Sequence, residues 1–156
     1  MERPLSFLHR FSCAGLVGAQ LFFSAVAAQQ VFPPEVAALP HGAPRRELAA
    51  ELVGAMLARL DAATMIFCAI AVVAALLLGR RLAAVLPLLA GLCAVASIAY
   101  FTPAILAMRL TNTTSTPRFG LMHGLSASLL LVEMVLLTVA AWRSPGSTLA
   151  AEPEPG

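Results

Sequence analysis

Apolar residues fall into four long runs separated by short polar stretches. The first runs from about Phe11 to Phe32 and stops at Pro33-Pro34. The second runs from about Ala62 to Leu78 and stops at Gly79-Arg80-Arg81. The third runs from about Leu82 to Met108 and stops at Arg109. The fourth runs from about Leu121 to Trp142 and stops at Arg143-Ser144-Pro145-Gly146. A helix that crosses a hydrocarbon layer of about 30 Å needs about 20 mostly apolar residues. The runs do not alternate polar and apolar with period two, which excludes strands of a membrane barrel. The pattern predicts an all-α membrane protein, a four-transmembrane-helix antiparallel bundle over 11–142. Residues 1–10 would be an N-terminal cytoplasmic segment and 143–156 a disordered tail.

The connections refine this. Pro33 to Pro44 carries four prolines and cannot be helical throughout. From Arg45 the pattern changes: Leu48, Leu52, Met56 and Leu60 recur at helical spacing among Arg45, Arg46, Glu47, Glu51 and Asp61. Leu52, Met56 and Leu60 share a face. Residues 45–61 therefore read either as an amphipathic helix lying at the interface or as a plain extension of the second span. The Gly79-Arg80-Arg81 turn is so short that spans two and three must form an antiparallel hairpin. Pro87 and Pro103 would kink span three near its ends. The segment Thr111 to Pro117 is polar and reads as a flexible loop, and Asn112-Thr113-Thr114 matches a glycosylation triplet.

Composition narrows the class. The 156 residues are 60% hydrophobic and 12% charged, with mean hydropathy +0.86. An ordinary soluble domain is about 25% charged, so these values exclude a soluble enzyme and a disordered chain. The net charge is +2 and every basic residue is Arg. They are too few and too scattered for a nucleic-acid groove, so no nucleic-acid partner is expected. Cys13, Cys68 and Cys93 are far apart in apolar runs, which gives no disulfide framework and no metal motif. They read as small packing residues, alongside Ala71, Ala74, Ala75, Ala90, Gly91 and Ala94, which allow close contacts within the bundle or in a homo-oligomer.

The first run also resembles a secretory signal, with Arg3 and Arg10 before it and Ala25-Val26-Ala27 as a cleavage site. Gln20 inside it favours a retained first helix. Arg residues divide five and five between the two sides of the bundle, so charge does not set the orientation. The Arg80-Arg81 pair and Arg10 favour cytoplasmic termini. The expected address is a multi-pass protein of a bacterial inner membrane, with the lipid bilayer as its first partner.

Candidate chemistry lies in the few polar residues within the runs. Glu133 is the one acidic residue inside a proposed span, and such a residue costs about 2.5–3.5 kcal/mol at the centre of a helix on insertion scales. His123, Ser126, Leu130, Glu133 and Leu137 fall on one heptad seam, so His123, Ser126 and Glu133 are expected to face the bundle together. Gln20 lies about nine residues into span one and Glu133 about nine from the end of span four. In antiparallel helices both fall about 14 Å from the same interface. A hydrogen bond from Gln20 to Glu133 is therefore expected. By the same arithmetic Gln29, Gln30, Tyr100, Thr102 and His123 would form a second polar cluster near the opposite interface. His9 and His41 lie outside the spans, so His123 has no second axial histidine for a haem.

Four stretches carry a family resemblance. They are Gly18-Ala-Gln-Leu-Phe-Phe with Phe32, Leu52 to Asp61, Tyr100 to Arg109 including Pro103, and Arg118-Phe119-Gly-Leu-Met-His123-Gly-Leu-Ser126. Together they resemble a family of small four-helix membrane proteins of unknown function, which includes eukaryotic transmembrane proteins linked to platinum-drug resistance. The resemblance covers about residues 11–142 and implies the fold and a membrane address. It implies no reaction. Arg118, Phe119, His123, Ser126, Pro103 and Arg109 are the positions it would single out. Two functional classes follow. One is a non-catalytic membrane component (scaffold, assembly partner, or small-solute or ion handling) with a polar site between helices, no cofactor and no catalytic residue. The other is a membrane redox or metal- or haem-handling protein using His123 and Glu133.

Overall fold

A computed structural model of the chain describes residues 2–40, 42–111 and 113–143. The tail beyond Arg143, His41 and the Asn112 of the glycosylation triplet lie outside the described residues. The described chain forms four long helices, α1 (Glu2–Val31), α3 (Pro44–Leu77), α4 (Arg81–Leu110) and α5 (Pro117–Arg143). A single turn, α2 (Pro34–Ala37), follows α1. All four long helices are long and apolar enough to cross a membrane. They pack as a square: α1 lies against α3 and α5, and α4 lies against the same two. The four-helix antiparallel bundle expected from the pattern is the fold.

The helix ends follow local chemistry. Pro34, Pro44 and Pro117 each stand at the first helical turn, where a missing N–H leaves no hydrogen bond unmade. Between α3 and α4, Gly79 takes a left-handed conformation at φ 69°. The Arg80 N–H then donates to the Ala75 carbonyl at 2.9 Å and the Gly79 N–H to Leu76 at 2.9 Å, closing the end of α3. Only glycine adopts that φ without strain, which is why so short a hairpin is possible here.

The core is made of small residues. Cys13, Cys68, Ala71, Ala90 and Ala140 pack with Leu16 and Leu137 in one buried cluster. Cys13, Cys68 and Cys93 are all unpaired by disulfide, as packing residues would be. A Cβ added to Gly91 would lie 3.2 Å from the Cys68 Cβ, so α3 and α4 approach closely there. Large apolar side chains such as Leu77, Leu82, Leu110 and Leu131 point outward instead. That is the reverse of a soluble bundle, and it suits a hydrocarbon solvent.

Several expectations change. Helix α1 starts at Glu2, so residues 2–10 are not a separate segment in the described chain: they belong to the first helix. Of the two readings of residues 45–61, the extension is the one found: they are continuous with the second span in one 34-residue helix. Leu52, Met56 and Leu60, which share a face by spacing, are not among its buried residues. Leu48 and Leu52 are exposed, and the buried stripe of α3 is Ala49, Asp61, Thr64, Cys68, Ala71 and Ala75. Small side chains let the neighbouring helices close in, and that outweighs burying leucine when the surroundings are apolar on both sides. The loop before α5 is held by hydroxyls. Thr113 Oγ1 donates to the Met108 carbonyl at 3.1 Å and Thr116 Oγ1 to Thr113 at 2.7 Å.

Helices α1 and α4 each contain a wide π-turn, Phe23–Ala27 and Ser97–Phe101. The second has a clear cause. Pro103 cannot donate to the Ala99 carbonyl and its ring clashes with it, so the turn before it widens. Pro87 is accommodated within α4 and is buried.

Candidate functional site

The bundle interior holds a layer to which each long helix contributes one polar side chain. Gln20 of α1 donates from Nε2 to Glu133 Oε2 of α5 at 2.9 Å, and both side chains are buried. This is the hydrogen bond that the antiparallel arithmetic predicts. Ser97 of α4 donates from Oγ to Asp61 Oδ2 of α3 at 2.6 Å, also buried. Asp61 and Glu133 are both buried in the core, on the two helices that lie diagonally across the square. One further bond sets the levels. His9 Nδ1 lies 2.9 Å from the Ala71 carbonyl, which pins α1 to α3. Gln20 and Asp61 are then about 15–17 Å further along their antiparallel helices, at 1.5 Å per residue. The two hydrogen-bonded pairs therefore sit side by side.

Two acidic groups in an apolar bundle are costly unless their charge is compensated. Their hydrogen-bond partners here are an amide and a hydroxyl, both neutral. Several polar atoms in the layer and along the interior below it are buried without a hydrogen-bond partner: Gln20 Oε1, Thr64 Oγ1, Ser12 Oγ and His9 Nε2. Thr64 follows Asp61 by one turn on the buried stripe of α3, and His9, Ser12 and Gln20 share the buried face of α1. Because a carbonyl can only accept, His9 Nδ1 is the donor to Ala71. In the neutral ring Nε2 is then an unused acceptor. These groups follow the buried faces of α1 and α3 from the level of His9 and Ala71 to the carboxyl layer. Ser97, moreover, opens the π-turn of α4, and such turns often occur at functional sites.

The expected seam on α5 is displaced. Met122, Ser126, Glu133, Leu137 and Ala140 are its buried residues, whereas His123 is exposed. At 100° per residue Met122 lies closer to the direction of Ser126 and Glu133 than His123 does, so His123 falls at the edge of the face. Its ring stacks on Phe119, with centroids 6.0 Å apart and planes 3° from parallel. His123 does not join Glu133. Among the described residues no three or more His, Cys, Asp or Glu side chains form a group that could hold a metal ion. The residues that the redox reading needs, His123 and Glu133, lie apart.

The second polar cluster forms in part. Gln29 and His123 line one cavity of about 440 Å³ together with Arg46, Glu47, Arg109 and Phe119. Gln30 is exposed and Tyr100 is 59% exposed, packed edge-on against Phe101. Thr102 is half-buried, and Pro103 and Arg118 are exposed. None of these five lines the cavity. The cavity gathers two Arg side chains, Arg46 and Arg109.

The sequence pattern missed Asp61, Thr64, Ser97, Ser12 and His9. Asp61 and His9 lie beyond the apolar runs and look like interfacial groups. The signal that finds them is phase: Asp61, Thr64, Cys68, Ala71 and Ala75 keep helical spacing along one stripe of small residues. No family model, curated protein or solved structure matches the chain.

Proposed function

We propose that this is a non-catalytic integral membrane component that takes up and releases protons at the Asp61–Glu133 carboxyl pair inside its bundle. The observation that carries the reading is the pair itself: two buried carboxyls in one layer whose hydrogen-bond partners are both neutral. An ionised carboxylate in such surroundings is stabilised by binding a proton, and intramembrane acids of this kind commonly belong to proton relays. A purely structural layer has no need of two acids, because amides and hydroxyls hold helices together at lower cost. The buried acceptors His9 Nε2, Ser12 Oγ, Thr64 Oγ1 and Gln20 Oε1 supply hydrogen-bonding groups along the α1–α3 contact. They support an approach to the pair from the 80–81 end.

Proteoliposomes with an imposed pH gradient test this. Wild-type protein should dissipate the gradient faster than empty vesicles. Glu133→Gln and Asp61→Asn, which keep shape and hydrogen bonding but remove the titrating group, should fall to the empty-vesicle rate. Equal rates for wild type and both variants would contradict the reading.

A further inference from the structure

The cavity at the other end of the bundle is separate from the carboxyl layer. The geometry points to a binding site there for an amphiphile with a monoanionic phosphate headgroup. All four long helices or their connections contribute: Gln29 from α1, Arg46 and Glu47 from α3, Arg109 from α4, and Phe119 and His123 from α5. Its volume of about 440 Å³ lies in the range of small-ligand sites, about 300–1,000 Å³.

Charge selects the ligand. Two guanidiniums and one carboxylate line the cavity, a formal excess of one positive charge from these three groups. Both guanidiniums are positioned by backbone carbonyls. Arg109 donates from Nη1 to Ala50 at 2.8 Å, and Arg46 donates from Nη1 to the Leu39 carbonyl. Each bond uses one of five guanidinium N–H groups, so the others are available to an anion. Glu47 is held in turn by the Gly42 N–H at 3.1 Å. A fixed guanidinium pair suits phosphate, whose oxygens accept paired N–H groups.

Shape selects an amphiphile rather than a bare ion. Phe32, Val53 and the stacked Phe119–His123 rings give the cavity an apolar wall. Leu110 and Leu121, at the same end of the bundle, are 76% and 62% exposed. A phospholipid from the surrounding leaflet meets both requirements, and a soluble phosphoester meets the first.

The test is binding to the full-length protein in nonionic detergent, read by native mass spectrometry. The probes are short-chain phosphatidylglycerol, short-chain phosphatidylcholine and glycerol phosphate. Phosphatidylglycerol should bind at least tenfold more tightly than phosphatidylcholine. Arg46→Gln and Arg109→Gln should each weaken it about tenfold. Glu47→Gln keeps the hydrogen bond to Gly42 and removes the opposing charge, so it should tighten binding severalfold. That gain separates a binding site from a loss of folding. Glycerol phosphate binding as tightly as phosphatidylglycerol would uphold the anion site and assign it a soluble ligand. Equal binding of the two lipids, or no response to any of the three substitutions, would overturn the proposal.

Discussion

Gln20→Leu should destabilise the bundle by about 1–3 kcal/mol, and adding Glu133→Leu should recover most of that loss. Gln20 Nε2 is a hydrogen-bond donor to Glu133 Oε2, and both groups are shut away from solvent. Removing the donor alone leaves an acidic oxygen buried without its partner, which is penalised by its full desolvation. Removing both replaces a polar pair by apolar groups in apolar surroundings, a change that is often near neutral. The double variant should therefore be more stable than Gln20→Leu alone. Denaturation of the four proteins of this cycle in mixed micelles measures it. Additive losses in the double variant would show that the two side chains do not act as a pair.

The second large effect concerns packing. Gly91→Leu should separate α3 from α4 and destabilise at the upper end of the range of about 1–3 kcal/mol for overpacking. The Cβ of such a residue already meets Cys68 Cβ at 3.2 Å, and Cys68 is 2% exposed and has nowhere to move. Gly18→Leu is the control, because a Cβ at Gly18 meets nothing within 4 Å. Thermal unfolding in detergent should show a large drop for the first variant and little change for the second. Similar drops for both would mean that leucine is disfavoured at these glycines for some reason other than contact.

The fold was legible because length and polarity decide it. Four apolar runs bounded by proline, glycine and arginine admit one arrangement once the 79–81 turn makes a hairpin. The Gln20–Glu133 bond was legible for a related reason. Both residues lie well inside their runs, so helical rise alone places them at one level. Asp61 was not legible in this way, because Arg59 and Glu51 precede it and it reads as the end of a charged segment. Its burial depends on the phase of α3 against α1 and α4, which comes from packing. His123 failed in the opposite sense. Spacing placed it on the Glu133 seam, but the true face is centred nearer Met122 and turns His123 outward to the Arg109 cavity.

The layer also accounts for where the polar residues of the bundle went. Ser128 and Thr138 satisfy themselves on their own helix by bonding the Gly124 and Met134 carbonyls. Gln20, Asp61, Ser97 and Glu133 instead bond between helices, at one level. The proposal that these carboxyls exchange a proton has a direct readout in infrared difference spectroscopy across a pH titration of the reconstituted protein. Over the bands of the exposed carboxyls, which the Asp61→Asn/Glu133→Gln double variant keeps, the wild type should show an additional protonated-carboxyl carbonyl band that changes with pH, and Glu133→Gln a weaker one. A wild-type titration identical to that of the double variant would contradict the account.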